Sequence, residues 1–469
     1  VSITVSDVAD NSETKTWTFN IDTTNPEPPT NIEVVGGTLA PAPPPTYWTN
    51  SATPQFQWVE GTDSGGSGIA NYKVEIYLDH ALEHTYSGVV DEVLGGDVQW
   101  TIPDSLADGM YEIRVYSVDN CGNESAYAGV TFGVDSSTST VMLDQESPKP
   151  YVNVKTPTLS VRFRDLAVPS SGYHSTLQFT VDAVGVLPVT LQPGAGHQVG
   201  HVTKDMPGLA DGSHTAYIQV RDYAGNTADL TWSFFVDIVQ PNAPGVITVV
   251  TPTTDTTPNF TWLTATDPGV PLTGSDIAGY EAEIHNGTGL VRGRYYGIPG
   301  LSWDLPDPLS ADGEYTIKLW AVDNAGNVSA DPASATFRLD TTPPVLDNPS
   351  PIGATKNTTP LLSVRFTDTG GSGYGSTTAW TISPIGSIMP PDDGPLVGDE
   401  TGDIEKTSPG LAEGPHTVNI TVQDDAGNPG TLSWSFTVDT TAPTPPAIVV
   451  APDPTNDTTP TFTWDAATD

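Results

Sequence analysis

Aspartates recur at fixed places along the chain, and they are the residues best suited to do chemistry. One closes the last β-run of a segment, and two more stand in the loops of the segment that follows. Carboxylate oxygens are hard ligands that suit Ca²⁺, which extracellular modules bind at roughly 10⁻⁴ to 10⁻³ M. We therefore predict calcium sites where one segment joins the next. The predicted sets are Asp22, Asp63 and Asp119; Asp135, Asp165 and Asp222; Asp237, Asp267 and Asp323; and Asp340, Asp368 and Asp424.

The same aspartates admit a second interpretation. Asp side chains commonly cap turns by accepting hydrogen bonds from nearby backbone N–H groups. The sequence contains no EF-hand loop, which would have favoured calcium directly. Calcium binding and turn capping alone are both open from the sequence.

Catalytic motifs have weaker support, and we predict that the chain is not an enzyme. The run Thr62–Gly66 is similar to the Gly-Asp-Ser-Gly-Gly of serine proteases, but the same loop at Asp368–Gly373 loses the aligned serine. A catalytic triad also needs a positioned histidine base, and nothing in the pattern supplies one. His80 and His84 would form a metal pair only on a helix, whereas their segment is predicted to be a hairpin.

The aspartates belong to a segment that repeats about every hundred residues, close to the size of one immunoglobulin-like sandwich. A β-run, an aspartate and a turn recur up to Asn123, Asn226, Asn327 and Asn428. Cys121, the single cysteine, excludes an intramolecular disulfide and stands where the other turns have alanine. We predict no role for its thiol.

Thr- and Pro-rich joints follow the last strand of each segment, as at 439–443. Proline fixes φ and removes a donor, so these joints are expected to be short and semi-rigid. Two segment types alternate: the first has a Phe-x-Trp strand, such as Phe56 and Trp58, and the second carries a tryptophan in its last strand, such as Trp232. The joints predict a domain fragment at 1–22, complete domains at 23–135, 136–237, 238–340 and 341–439, and a second fragment at 440–469.

Alternation with a period of two turns one face of each strand inward, as in Tyr315, Ile317 and Leu319 against Thr316 and Lys318. Several such strands per segment, separated by Gly, Pro, Asn and Asp turns, indicate two packed sheets. The predicted fold is all-β: tandem immunoglobulin-like β-sandwich domains of two alternating repeat types, arranged as an elongated array.

A tyrosine follows an Asp-Gly turn at Tyr111, and a second one does so at Tyr315. This position matches the tyrosine corner, whose hydroxyl bonds back to the backbone. His214 and His416 take this place in the second segment type, and we interpret them as corner residues.

The topology of such a sandwich explains why the carboxylates of one set should meet. The chain enters each sandwich at the pole that also holds the loop between the second and third strands and the final hairpin. The terminal aspartate of one domain therefore lies near those loops of its successor.

These features resemble the bacterial immunoglobulin-like repeats of very large adhesins and biofilm-associated surface proteins. The resemblance rests on the Ala-Gly-Asn turn, the Asp-Gly-x-Tyr corner and the joints, and it covers essentially the whole chain. It implies fibronectin III-like modules in an extracellular protein of the cell surface. It also implies that calcium stiffens the joints.

Charge limits the partners that the chain can have. It contains 16 Lys and Arg against 57 Asp and Glu, and a formal charge of -41 repels nucleic acid and anionic lipid alike. No run approaches the length of a membrane span, so we predict neither a nucleic-acid partner nor membrane insertion within this segment. The expected partners are further copies of the chain, other surface proteins or extracellular polysaccharide, with Tyr47 and Trp48 as an aromatic pair that could be exposed to a sugar.

The leading hypothesis is mechanical. The chain is predicted to be a structural extender or fibre-forming region of a giant extracellular surface protein. The alternative is a set of accessory β-sandwich modules on a secreted polysaccharide-active enzyme. A catalytic domain in the flanking sequence would favour the alternative, and further repeats would favour the extender.

Overall fold

A computed structural model describes residues 1–40, 46–90, 97–138, 140–143, 148–165, 169–182, 190–192, 198–269, 274–449 and 457–469. These residues form strands, turns and loops. None of the described segments contains a helix that could span a membrane. The chain divides into two compact units, Val1–Ile238 with Gly269–Ser275, and Val239–Pro268 with Asp276–Asp469.

The first unit begins with a hairpin and continues with the first complete domain. Its strands are β1 (Ser2–Ser6), β2 (Ser12–Thr16), β3 (Thr30–Val34), β4 (Thr38–Ala40), β5 (Thr46–Thr49), β6 (Gln55–Val59), β7 (Ile69–Leu78), β8 (Ala81–Val89), β9 (Val98–Thr101), β10 (Gly109–Asp119) and β11 (Ala128–Val134). In the domain, one sheet has the order β3-β6-β9 and the other β4-β5-β11-β10-β7-β8. Phe56, Trp58 and Phe132 are fully buried in the core between these sheets, so the Phe-x-Trp strand faces inward as its spacing predicts.

The second domain completes this unit. Its strands are β12 (Thr140–Leu143), β13 (Tyr151–Val152), β14 (Thr158–Arg164), β15 (Tyr173–Val181), β16 (Thr190–Gln192), β17 (Val199–Asp205), β18 (Gly212–Asp222) and β19 (Thr227–Val236). The sheets have the orders β12-β14-β17-β16 and β13-β19-β18-β15. Phe163, Phe179 and Trp232 pack in a core separate from that of the first domain.

The second unit contains the third and fourth domains and a final strand pair. Its strands are β20 (Ile247–Val249), β21 (Asn259–Trp262), β22 (Ile277–Asn286), β23 (Gly289–Ile298), β24 (Ser302–Asp304), β25 (Gly313–Asp323), β26 (Ala333–Leu339), β27 (Val345–Ser350), β28 (Gly353–Thr355), β29 (Leu361–Thr367), β30 (Tyr374–Ile382), β31 (Gly386–Ser387), β32 (Thr401–Thr407), β33 (Gly414–Asp424), β34 (Pro429–Val438), β35 (Ile448–Val449) and β36 (Thr463–Trp464). The third domain pairs sheet β20-β21-β24 with β23-β22-β25-β26, and the fourth pairs β27-β29-β32 with β28-β34-β33-β30-β31. Each has its own apolar core, which confirms the predicted tandem β-sandwiches.

In the first and third domains, a short segment runs parallel to the last strand and holds its C-terminal end, which leads into the joint with the next domain. In the first domain β5 runs parallel to β11, and the N–H of Asp135 donates to the carbonyl oxygen of Thr49 at 3.0 Å. In the third domain Thr253 bridges Leu339 in parallel, and the N–H of Asp340 donates to Thr253 O at 2.9 Å. Backbone hydrogen bonds therefore fix the positions of the terminal aspartates, Asp135 and Asp340, at the ends of their domains.

The predicted corners are confirmed. The hydroxyl of Tyr315 donates to the carbonyl oxygen of Ala311 at 2.6 Å, and Nε2 of His416 lies 2.7 Å from that of Ala412. The pairs Tyr111–Ala107 and His214–Ala210 repeat these contacts at 2.9 and 2.8 Å. Histidine thus substitutes for tyrosine in the second-type domains by reaching the same carbonyl, four residues back.

The expectation that Trp48 could be exposed to a sugar is wrong. Its side chain is 8% exposed and packs against Tyr223 and Ala224 of the second domain. A Cβ on Gly133 would lie 2.4 Å from the indole ring, so the indole occupies space that only glycine leaves free. Tyr47 is partly buried against the core of the first domain. The neighbouring domain covers the aromatic side chain that the sequence left without a partner.

Candidate metal centres at the domain joints

Asp135, Asp165 and Asp222 converge at the joint between the first and second domains. One carboxylate oxygen of each lies within 4.8 Å of the others, and all three side chains are buried. Asp135 follows β11 of the first domain, Asp165 follows β14 of the second, and Asp222 ends β18. The structure therefore brings together three carboxylates that are far apart in the sequence, as the topology predicts.

The turn that Asp222 opens holds its carboxylate in place. Oδ1 accepts the N–H groups of Gly225 at 2.7 Å and Asn226 at 2.8 Å. Gly225 has a φ of +99°, a conformation that L side chains rarely adopt. The Gly-Asn ending of the repeated turn is thus what allows two backbone N–H groups to point at one carboxylate oxygen.

Asp135 and Asp165 hold the loop between β14 and β15. Oδ2 of Asp135 accepts the N–H of Ser171 at 2.8 Å, and Oδ2 of Asp165 accepts the N–H of Gly172 at 2.7 Å. Because Asp135 belongs to the first domain and Ser171 to the second, the first of these bonds ties the two domains together.

Asn226 is a joint residue whose role sequence reasoning missed. Its Nδ2 donates to Oδ2 of Asp222 at 2.9 Å and to the carbonyl oxygen of Asp135 at 2.8 Å. The residue is 8% exposed. Its recurrence at the end of every repeated turn was the available signal, but asparagine is common in turns for local reasons. The second bond, which crosses to the preceding domain, becomes visible only in the fold.

The joint between the third and fourth domains repeats this arrangement. One carboxylate oxygen each of Asp340, Asp368 and Asp424 lies within 4.8 Å of the others, and the three side chains are buried. The N–H of Ser372 donates to Oδ2 of Asp340 at 2.6 Å, and Nδ2 of Asn428 donates to the carbonyl oxygen of Asp340 at 2.9 Å. The same bonds at two separate joints show that the arrangement is a property of the repeat.

The first predicted set differs from expectation. The atoms within 4.8 Å of one another belong to Asp22, Asp119 and Cys121, and Asp63 is outside this group. Among the described residues β1 pairs with β2 in an antiparallel hairpin, and no parallel pairing like those at the later joints is seen before Asp22. Asp63 accepts the N–H of Gly68 at 2.7 Å. The thiol of Cys121, for which we predicted no role, therefore lies close to the carboxylates of Asp22 and Asp119.

The third predicted set is divided between the two units. Asp237 belongs to the first unit, where its Oδ2 accepts the N–H of Ser275 at 2.7 Å. In the second unit Oδ1 of Asp323 accepts the N–H of Asn327 at 2.8 Å, and Asp267 is buried. Calcium binding by this set stays a prediction.

Burial and mutual repulsion favour the protonated form of carboxylates in the cluster of Asp135, Asp165 and Asp222. Burial, opposed by the hydrogen bonds from Asn226 and assisted by the nearby carboxylates of Asp135 and Asp165, raises the pKa of Asp222 to about 6. Burial also raises the pKa of Asp135. The cluster therefore carries negative charge that its protein surroundings offset only in part.

Carboxylates of the two complete clusters have pKa values that are shifted upward, whereas the pKa of Asp22 in the first predicted set is shifted downward. Burial, followed by the carboxylates of Asp340 and Asp424, raises the pKa of Asp368. Hydrogen bonds from Thr24 instead lower the pKa of Asp22. The two complete clusters are thus the places where an added cation would relieve repulsion between buried carboxylates.

The donor set and its spacing fit one calcium ion. Two oxygens bound at about 2.4 Å to the same Ca²⁺ are at most about 4.8 Å apart, and the three oxygens of each complete cluster meet that limit of 4.8 Å. A carboxylate offers about four lone-pair sites, so backbone hydrogen bonds leave acceptor capacity. Turn capping, which the structure shows, is compatible with metal binding.

The protease-like loop has a structural explanation. A Cβ on Gly66 would lie 2.0 Å from Oδ1 of Asp63, and one on Gly371 would lie 2.2 Å from Oδ1 of Asp368. Glycine is therefore needed to admit the carboxylate. His84 lies on β8 in a hairpin with β7, as predicted, and not on a helix.

Residues 296–340 of the third domain match the family model of the bacterial Ig-like domain. The match confirms the predicted resemblance to bacterial immunoglobulin-like repeats. The matched range includes the corner residue Tyr315 and the joint residue Asp340.

Two relatives are similar in sequence over part of the chain. Chitinase A1 of Niallia circulans is 31% identical over 194 residues, which are 39% of this chain and 26% of that protein. Endoglucanase B of Cellulomonas fimi is 30% identical over 305 residues, or 63% of this chain and 26% of that protein. The chain thus spans about a quarter of the length of the curated relatives it matches.

Solved structures of tandem repeats are also similar. A tetra-tandem repeat from the extending region of a large adhesion protein shares 20% identity, covering 84% of this chain and 97% of that one with a TM-score of 0.25. The fibronectin(III)-like modules of Clostridium thermocellum CbhA share 17% identity, covering 44% and 94% with a TM-score of 0.24.

Proposed function

We propose that this chain is a non-catalytic extender in an extracellular protein of the cell surface, and that its joints bind Ca²⁺. One observation carries the proposal. At the joint between the first and second domains and at that between the third and fourth, three buried carboxylates contributed by two domains meet within 4.8 Å. The match to the bacterial Ig-like family supports a repeat with a structural role.

The joint residues would transmit force between domains. The backbone N–H of Asp135 is bonded to Thr49 in the first domain, and its carboxylate accepts the N–H of Ser171 in the second. Nδ2 of Asn226, in the second domain, donates a hydrogen bond to the carbonyl oxygen of Asp135. A calcium ion, when bound, supplies strong oxygen–metal attraction between groups of both domains. Bending the joint would then require these contacts to break together.

The overall charge supports the same proposal. A formal charge of -41 opposes close packing of successive domains. Divalent ions at the joints would lower this repulsion where the domains meet. An extender of this kind would be stiff in calcium-rich surroundings and looser after calcium removal.

The sequence matches favour a second candidate function. Both named relatives are polysaccharide-degrading enzymes by name, a chitinase and an endoglucanase. The chain would then be a set of accessory β-sandwich modules of a secreted polysaccharide-active enzyme. Flanking sequence separates the two candidates: a catalytic domain nearby favours accessory modules, and many further repeats favour the extender.

Thermal unfolding of the full chain in calcium or in EDTA tests the metal proposal. With calcium at about ten times the Kd, each site bound only in the folded state should add about 1.4 kcal/mol. We expect calcium to raise the Tm of the wild type and to have a smaller effect on the double variant Asp135→Asn, Asp340→Asn. Asp229→Asn, an exposed aspartate in β19, is the matched control and should respond like the wild type. An unchanged wild-type Tm would contradict calcium binding.

A further inference from the structure

The outward face of the larger sheet in the first domain carries a group of aromatic and charged side chains. Lys73, Glu75 and Tyr77 alternate with buried residues on β7, and Arg114 and Tyr116 do the same on the neighbouring strand β10. We call this group, together with Glu112 and Tyr127, the aromatic face. It is partly exposed and lies on the side of the sheet away from the core. None of its members belongs to the joint.

Arg114 is fixed over two tyrosine rings. Its guanidinium carbon lies 4.1 Å from the ring centroid of Tyr77 and 4.6 Å from that of Tyr127. Its Nε and Nη2 donate to the two carboxylate oxygens of Glu112 at 3.0 and 2.8 Å. Tyr127 is 47% exposed. Guanidinium stacking and a two-point carboxylate bond hold the rings in place before any partner arrives.

Glu75 fixes the other rings of the aromatic face. Its Oε2 accepts the hydroxyls of Tyr77 and Tyr116, each at 2.9 Å. Nζ of Lys73 lies 4.1 Å from the ring centroid of Tyr116. Donors, acceptors and aromatic rings therefore lie side by side on one sheet surface in fixed positions.

The third domain builds a similar feature from different residues. Trp320 occupies the place in β25 that Tyr116 occupies in β10, with the guanidinium carbon of Arg294 4.3 Å from its ring centroid. Arg294 comes from β23 and is paired with Glu281 at 2.7 Å. A ring with a cation over it thus recurs at the same strand position in both complete first-type domains, with Lys73 over Tyr116 in the first and Arg294 over Trp320 in the third.

The second-type domains lack an aromatic residue at this place. The corresponding strand positions are Gln219 in β18 and Thr421 in β33, and both face outward. The ring is therefore not a requirement of the sandwich fold, because two domains of the same chain form without it. Its presence on the first type calls for another explanation than packing.

We propose that the aromatic face of the first domain, and its counterpart around Trp320 in the third, bind an extended, uncharged polysaccharide. Both faces of an aromatic ring are electron-rich, so a ring with a cation over one face can pack its other face against the weakly positive C–H surface of a sugar ring whose hydroxyls are equatorial. Glu75, Glu112, Arg114 and Lys73 are bonded within the protein, but carboxylate oxygens have further lone pairs and the two cations have further N–H groups, which can bond to sugar hydroxyls. The surface thus offers aromatic rings, hydrogen-bond donors and acceptors to a hydroxyl-rich chain.

Charge and shape select this partner over others. The formal charge of -41 repels a polyanion or a second copy of the chain, whereas an uncharged polymer experiences no such repulsion. The rings lie on a sheet face and not in a deep pocket, which suits an extended chain better than a small ligand. Repetition on two domains would strengthen binding to a long polymer through multivalency. This inference does not depend on calcium at the joints.

Co-sedimentation of the full chain with microcrystalline cellulose and with chitin powder tests the proposal. We expect the wild type to bind at least one of these two uncharged polymers. Losing both stacking rings in Tyr116→Ala, Trp320→Ala should weaken association by about tenfold or more. The matched control is Gln219→Ala, Thr421→Ala, which alters the same strand positions in the second-type domains and should bind like the wild type.

A second variant protects the test from folding defects. Tyr116→Phe, Trp320→Phe keeps a ring at each place and should retain most of the binding, and circular dichroism and thermal unfolding report whether each variant folds. Failure of the wild type to bind either polymer would overturn the proposal. So would equal binding by the folded wild-type and alanine chains, or binding to the polyanion alginate but to neither uncharged polymer.

Discussion

Replacing Asn226 with alanine should loosen the joint between the first and second domains. The substitution removes one hydrogen bond to the carboxylate of Asp222 and one to the carbonyl of Asp135. A bond to a charged group contributes about 1.5–3 kcal/mol and a neutral one about 1 kcal/mol. We therefore expect the free energy of opening this joint to fall by about 2 to 4 kcal/mol.

Hydrogen exchange of the full chain, followed by mass spectrometry, reports this opening locally. A loss of about 3 kcal/mol should accelerate exchange by roughly a hundredfold in the turn 222–226 and in the segment around Ser171, whose N–H is bonded to Asp135. Peptides from the second unit should be unaffected. Asn123→Ala is the matched control with a smaller expected effect, because Asn123 Nδ2 lies 3.2 Å from the carbonyl oxygen of Asp22.

Two results would refute this reasoning. Unchanged exchange in both segments would mean that the asparagine bonds contribute nothing at the joint. Faster exchange in the turn alone, with the Ser171 segment unaffected, would mean that Asn226 stabilises its own turn and does not couple the domains.

Further predictions concern the pH dependence of stability and the packing of Trp48. The pKa of Asp222 is raised to about 6 from 3.8, so in calcium-free buffer its contribution to the stability of the second domain should be fully present below about pH 4 and lost as the pH rises through about 6. Urea denaturation across this range should show the loss, and Asp222→Asn should abolish it; a flat wild-type profile would contradict the shift. Trp48→Ala should destabilise the first unit by about 3 kcal/mol in denaturant unfolding, whereas Trp464→Ala, at a side chain 66% exposed, should have little effect, and equal effects would contradict the packing of Trp48 between domains.

The fold was predictable because its determinants are local and repeated. The alternation of Tyr315, Ile317 and Leu319 reflects a strand with one buried face, and all three are buried. The corner histidines were predictable since they occupy the same place in each second-type repeat as tyrosine does in the first. Repetition allowed each inference to be checked against other copies in the same chain.

The joints were predictable only in part. Convergence of Asp135, Asp165 and Asp222 followed from topology, since strand order alone decides which loops share a pole. The contacts of Trp48 and Asn226 depend on how one domain packs against the next. Side chains from both domains determine this packing, so the sequence pattern of a single repeat does not predict it.

The first joint shows the same limit. Sequence alignment of the repeats placed Asp63 with Asp22 and Asp119, but Cys121 takes its place in the group of close atoms. The repeat supplies equivalent residues at each joint, whereas the exact approach of their side chains depends on the strands that hold the preceding domain.

Equilibrium dialysis of the full chain against ⁴⁵Ca²⁺ tests the central claim most directly, because it counts bound ions whether or not the joints change stiffness. We predict binding at millimolar or lower calcium with at least one ion at each complete cluster, and a loss of about two ions per chain in Asp222→Asn, Asp424→Asn. No bound calcium at millimolar concentration, or the same number of ions in the wild type and this folded variant, would contradict the account.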